Sequence, residues 1–216
     1  LRRAYSLQDG MYRLQTKDIG TLYEIWCFIE VSHIVKEQLG LSAEEVEHRN
    51  RMEMNGVFTW ELGRGEHSRI LFRKDGVELA ELVYNPKHTE RENDNISMEH
   101  LVVPTVPQKP DIVLQLTKDD MKKGMKMTYL FDAKYRIGGK EKGVDVPPDD
   151  AINQMHRYRD AIYYKEYDEG QLKKEVIGGY ILFPGDGDPA DVAVSKFHET
   201  IKKVNIGAFP LRPKDE

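Results

Sequence analysis

Asp111, Asp132 and Lys134 are the residues whose types and spacing could do chemistry. Asp111 opens the apolar run "PDIVLQL" and Asp132 closes "TYLFDAK", so each carboxylate lies in a segment that reads as a buried strand. The polar stretch between them, "TKDDMKKGMK" (117–126), is centred between residues 121 and 122. Reflection through that centre sets Asp111 opposite Asp132. Directly opposed residues of an antiparallel pair have Cβ atoms ~4.5–5.5 Å apart. Two carboxylates so close raise each other's pKa and weaken the sheet unless they share a cation. Oxygen-only ligands suit Mg²⁺, with Mn²⁺ able to substitute. Lys134, two residues beyond Asp132, projects from the same strand face. An ammonium there can orient or deprotonate a water, or steady charge growing on a phosphate. The chemistry implied is metal-assisted hydrolysis of a phosphodiester.

The bland reading of an acid-x-Lys triplet is a solvated strand end. Asp120-Met121-Lys122 is such a decoy: it lies in the polar loop without apolar flanks to bury or position it. Asp132-Ala133-Lys134 follows "TYLF" directly and has Pro110-Asp111 at mirrored register.

Several elements must position these groups. Residues 18–39 read as a helix stopped by Gly40, with apolar residues round most of its circumference, which predicts packing on more than one side. Residues 41–55 are polar and predict a short helix or a loop. Strands are expected at 57–62, 69–74 and 77–84, joined as antiparallel hairpins through Gly63–Gly65 and Asp75-Gly76. The 85–100 stretch reads as an exposed loop and 138–150, rich in Gly and Pro, as a mobile connector. A helix over 149–167, a buried strand over 176–185 and a short helix over 195–204 complete the order. "FPGDGDP" (183–189) reads as a turn, because its acids would repel an anion. The fold class expected is α/β, a mixed sheet flanked by helices.

The chain has 216 residues, a length that suits one large domain. Residues 1–17 are expected to continue an upstream region, since the sequence opens on Leu1. The single cysteine, Cys27, excludes an intrachain disulfide and fits the cytoplasm. No apolar run approaches the ~18 residues of a membrane span. A formal charge of −5 is mildly unfavourable to a nucleic-acid partner, but local patches outweigh the sum. The seven histidines are scattered without zinc-ligand spacing.

Pro110-Asp111 followed by Asp132-Ala133-Lys134 resembles the PD-(D/E)XK nuclease superfamily. Gln154 and Tyr158, one helical turn apart on one face, look like the Q-x-x-x-Y motif of the RecB-like and McrC-like branches. "LYEIWCFIEV", "LVYNP", "VPQKPDIVL", "LFDAKYR" and "GAFPLRP" are similar to McrC-type restriction endonuclease subunits, over most of residues 18–212. The resemblance implies a restriction-endonuclease-like core and a Mg²⁺-dependent DNA endonuclease of a restriction or antiviral defence system. It implies Asp111, Asp132, Lys134, Gln154 and Tyr158 as the catalytic set, with Asp111 and Asp132 holding the metal. It also implies a glutamate from the first helix at the metal. Glu24 and Glu30 both qualify, and the neighbouring "LYEIW" favours Glu24. A McrB-like AAA+ GTPase is the implied partner; the chain carries no G-x-x-x-x-G-K-[ST], so the motor would be another chain. Homo-oligomerisation is left open. His156 and Arg157 on the Q-x-x-x-Y helix, and Lys122 and Lys123 of the hairpin loop, are the residues offered to DNA phosphates, against a solvated helix side and a solvated turn as the plain readings. A nuclease-like scaffold or DNA-binding subunit without cleavage, or a RecB-like repair exonuclease, are the alternatives.

Overall fold

The computed structural model describes residues 19–50, 52–55, 59–62, 68–86, 101–117, 126–165, 171–186, 189–193 and 195–213. The segment 1–17, the greater part of the 85–100 loop, and Lys122 and Lys123 lie outside the described residues.

The architecture is a mixed α/β sheet with helices on both faces. Its central strands are β5 (Val77–Tyr84), β7 (Ile112–Thr117), β8 (Lys126–Ala133) and β13 (Val176–Phe183). These are flanked by β1 (Val46–Asn50) and β4 (Ser68–Lys74) on one side and β14 (Ile206–Pro210) on the other. The order is β1-β4-β5-β7-β8-β13-β14. Pairing is antiparallel from β1 through β8, and parallel for β8/β13 and β13/β14.

Helix α1 (Ile19–Gln38) covers one face. Tyr23, Cys27, Phe28, Val31 and Val35 bury a single stripe against Phe72, Leu82, Ile112 and Leu114. Packing on more than one side does not occur among the described residues: Ile19, Leu22, Ile29 and Ile34 remain exposed, because this face carries one helix layer. Gly40 ends the helix at φ +63, the left-handed stop expected of it.

Helix α2 (Asp149–Ala161) and helix α4 (Lys196–Val204) cover the other face, with the short α3 (Pro189–Ala193) between them in sequence. Ala151, Met155, Tyr158, Ile162 and Phe197 pack there on Val83, Val113, Leu130 and Ile181. Asp149 and Asp150 occupy the first turn of α2, where the helix dipole favours acids. Adding a Cβ to Gly207 would bring it within 2.1 Å of the Phe197 carbonyl, so α4 packs directly on β14.

Several expectations need correction. Residues 41–55 hold strands, not a helix: β1 is a polar edge strand paired with β4, and β2 (Met52–Asn55) pairs with β3 (Thr59–Leu62). The charges of Glu47, His48 and Arg49 hid β1, as edge strands tolerate them. Strand β3 therefore belongs to a separate hairpin, while β4 takes β1 and β5 as partners. The Asp75-Gly76 turn is as expected: both residues have positive φ, 51° and 80°, which matches the twist of a tight hairpin. The 138–150 connector is instead a small hairpin, β9 (Gly139–Glu141) with β10 (Val144–Val146), turned at Lys142 and Gly143, again both at positive φ. Helix α2 stops six residues short of 167. Buried Ile162 takes an extended conformation, and β11 (Tyr163–Lys165) pairs with β6 (Leu101–Val102) and β12 (Leu172–Lys173). The tyrosine pair favours a strand over another helical turn.

Candidate active site

The β7–β8 ladder runs from Thr117↔Lys126 to Ile112↔Phe131, and one further step sets Asp111 opposite Asp132. The register comes from alternating burial along both strands and from the length of the turn between them. Asp111 bends back across the ladder, and its Oδ2 accepts the Ala133 N–H at 2.8 Å. Asp132 is 1% exposed, and the Lys134 ammonium contacts its Oδ2. Strand β13 fixes that lysine from the other side: the Lys134 N–H donates to the Leu182 carbonyl at 2.8 Å.

Helix α1 brings Glu24 to the same place. The buried Tyr84 hydroxyl donates to Glu24 Oε2 at 3.3 Å, and the charge of Glu24 is felt at Asp111. Glu30 lies instead 3.9 Å from His33 on its own helix. Geometry therefore separates two acids that the sequence leaves as rivals: Glu24 joins the pair.

Burial pushes the Asp111 carboxyl up to about 8, with the negative charges of Asp132 and Glu24 adding to it; Lys134 and the Ala133 N–H oppose the shift. Burial likewise raises Asp132 above the ordinary carboxylate range, with Lys134 acting against it. Asp111 thus lies within reach of the charges of Asp132, Glu24 and Lys134.

Helix α2 closes the opposite flank. Gln154 Nε2 donates to the Tyr158 hydroxyl, which itself donates to the Lys109 carbonyl at 3.0 Å. That carbonyl lies two residues before Asp111, so the Gln154–Tyr158 pair fixes the approach to the carboxylate. Burial, together with the nearby Asp132 charge, pushes the Tyr158 phenol up to about 12 and keeps it a hydrogen-bond donor. Gln154 and Tyr158 are therefore placed beside the acid pair. His156 is exposed and lines a cleft between α2 and α4 with Asn153, Lys196 and Thr200, away from the acids. Arg157 is exposed next to Tyr158, whose phenol its charge reaches.

Among the described residues no group of three or more His, Cys, Asp and Glu side chains is arranged to hold a metal ion as it stands. The donor chemistry nevertheless fits one. Asp132 Oδ2 is buried, with the Lys134 ammonium as its contact, beside a second carboxylate. Carboxylate oxygens alone suit a hard divalent cation, and Asp111, Asp132 and Glu24 would hold it.

Two contributors escape a reading based on acids alone. Tyr84 orients Glu24, and Asn85, at φ 47°, donates its N–H to the Asp111 carbonyl at 2.6 Å. Their signal was present in "LVYNP", a tyrosine ending a buried strand just before an Asn-Pro turn.

Neither a curated protein nor a solved structure matches the chain. A family model described as PD-(D/E)XK nuclease superfamily matches residues 21–188, which run from the first turn of α1 to beyond β13 and include Glu24, Asp111, Asp132, Lys134, Gln154 and Tyr158. With a mixed sheet that carries an acid, an opposed acid and a lysine at one end of its central hairpin, the chain belongs to the PD-(D/E)XK nuclease superfamily.

Proposed function

We infer that the domain is a Mg²⁺-dependent DNA endonuclease, with Mn²⁺ as an effective substitute. The observation that carries this is the opposition of Asp111 and Asp132, with Glu24 close by and Lys134 on Asp132. A bound divalent cation would supply positive charge for the scissile phosphate and acidity for an attacking water. Lys134 is held by its backbone to β13, so its ammonium meets the phosphate or the water from a fixed direction. The Ala133 N–H and the Asn85 N–H hold Asp111 from its side-chain and main-chain oxygens, which limits its motion during turnover. Gln154 and Tyr158 keep the Lys109–Asp111 approach in place from the other flank.

The McrC-like text supports a place in a restriction or defence system, with a McrB-like AAA+ GTPase on a separate chain as motor. His156 and Arg157 are exposed on the helix beside the site and can meet DNA phosphates. The test is cleavage of closed circular DNA with Mg²⁺. Asp132→Ala and Lys134→Ala should each lower it at least ~10³-fold, with Asp132→Ala melting like the parent. Cleavage persisting in both variants rejects the assignment, and activity confined to linear ends converts it to an exonuclease.

A further inference from the structure

The mechanism above leaves Tyr135 unused, although it follows Lys134 directly. It is an exposed aromatic residue, 54% accessible, at the rim of a buried charged site. Its backbone is fixed on both sides. Lys134 N–H binds Leu182, and Arg136 N–H donates to the Lys134 carbonyl at 2.7 Å, a three-residue turn centred on Tyr135. The ring leans on Tyr23 of α1, centroids 5.4 Å apart at 56°. Tyr23 is buried, its hydroxyl donates to the Leu211 carbonyl, and it stacks on Trp26 at 5.9 Å. Trp26, Tyr23 and Tyr135 thus form an aromatic ladder anchored in the helix layer, with its last rung in solvent. A tyrosine held rigidly with its ring free offers a flat apolar face at little entropic cost.

We propose that Tyr135 is a stacking platform for an unpaired nucleobase of the substrate, and that the site therefore takes single-stranded, flapped or locally opened DNA. This rests on the nuclease reading given above. With a phosphate drawn to Lys134 and the acid pair, the neighbouring base of a splayed strand can reach the ring at the next residue. In a closed duplex that base is stacked and paired and has no free face. Base–aromatic stacking is tolerant of sequence, and its loss should show as roughly a tenfold change in affinity, about 1.4 kcal/mol.

The experiment measures binding in EDTA, so that nothing is cut, of a single-stranded oligonucleotide and of a blunt duplex of equal length. The oligonucleotide carries 2-aminopurine, whose fluorescence is quenched on stacking. The parent and Tyr135→Phe should quench the probe and prefer the single strand. Tyr135→Ala and Tyr135→Leu should lose roughly tenfold in single-strand affinity, together with the quenching, while duplex binding moves less than about twofold. Tyr135→Leu keeps apolar bulk against Tyr23, so a folding defect in the alanine variant does not obscure the result. Unchanged single-strand binding in both, an equal loss for duplex, or a phenylalanine variant as weak as alanine would overturn the platform. If the parent cuts DNA with Mg²⁺ and these losses are absent, only the platform falls. If the parent neither binds nor cuts DNA, the nuclease reading falls with it.

Discussion

Two buried charged clusters sit on the same face of β7 and β8, about 13 Å apart by the rise of four strand residues. One is the Asp111–Asp132 pair. The other is a row across the sheet, where Glu81 pairs in register with Gln115 and Gln115 with Thr128. Glu81 lies 2.8 Å from Arg69 and 3.8 Å from Lys126, and Lys126 also meets Glu78 at 3.4 Å. Gln115 Nε2 donates to Thr128 Oγ1 at 3.3 Å. In the row, two acids face two cations and the charge closes. At the pair, two carboxylates oppose each other, Asp132 meets Lys134, and burial with the charges of Asp132 and Glu24 raises Asp111. Burial alone therefore fails to mark a reactive site, since both clusters are buried; two carboxylates set against each other are what distinguishes the pair. Structural ion pairs settle their electrostatics within the chain, whereas we propose that the acid pair is completed by a divalent cation.

The largest effect should come from breaking each cluster by one residue and comparing what is lost. Asp132→Ala removes activity and keeps the fold, as stated above. Arg69→Ala should do the reverse: it leaves buried Glu81 with the more distant Lys126 and costs roughly 1–3 kcal/mol of unfolding free energy in a denaturant titration. The activity of the molecules still folded should be unchanged. A stable but inactive Arg69→Ala would erase the distinction.

A smaller effect separates the clusters by pH. The Asp111 carboxyl is raised to about 8 in the folded protein, against an unfolded value near ~3.9. Between those values the folded state holds a proton that the unfolded state has released. Metal-free stability should therefore fall as pH rises from about 4 to about 8, the sign set by proton linkage. Asp111→Asn should flatten that slope, and Glu81→Gln should not. By the same protons, Mg²⁺ should bind more tightly as pH approaches 8, with proton release visible in unbuffered titration.

The smallest effect sharpens the site itself. Tyr84→Phe deletes one hydroxyl that orients Glu24, an interaction worth ~1 kcal/mol. The Mg²⁺ concentration for half-maximal cleavage should rise about fivefold, with maximal rate nearly unchanged. In a Glu24→Gln background the same substitution should add nothing. An additive loss would mean that Tyr84 acts through another group.

Much of the acid pair was legible before any coordinates. A hairpin with a polar turn and two alternating strands has one register that buries its apolar residues, so Asp111 and Asp132 had to face each other. The one-turn spacing of Gln154 and Tyr158 was likewise a local, helical fact. The choice of Glu24 over Glu30 was not, because it depends on how α1 rotates over the sheet, a non-local packing outcome. Strands β1 and β14 were missed for the same reason: one is a charged edge, and the other, "IGAFP", gains its partner only by parallel pairing with β13. The Arg69–Glu81–Gln115–Thr128 row was illegible because its members come from four strands and none is unusual alone.

The central claim is that the acid pair, and not the balanced row, takes a divalent cation. Calorimetric titration of Mn²⁺ tests it most directly, in the parent and in Asp111→Asn, Asp132→Asn and Glu81→Gln. Binding should be present in the parent and in Glu81→Gln, and lost in both aspartate variants. Undiminished binding in Asp111→Asn and Asp132→Asn would contradict the account.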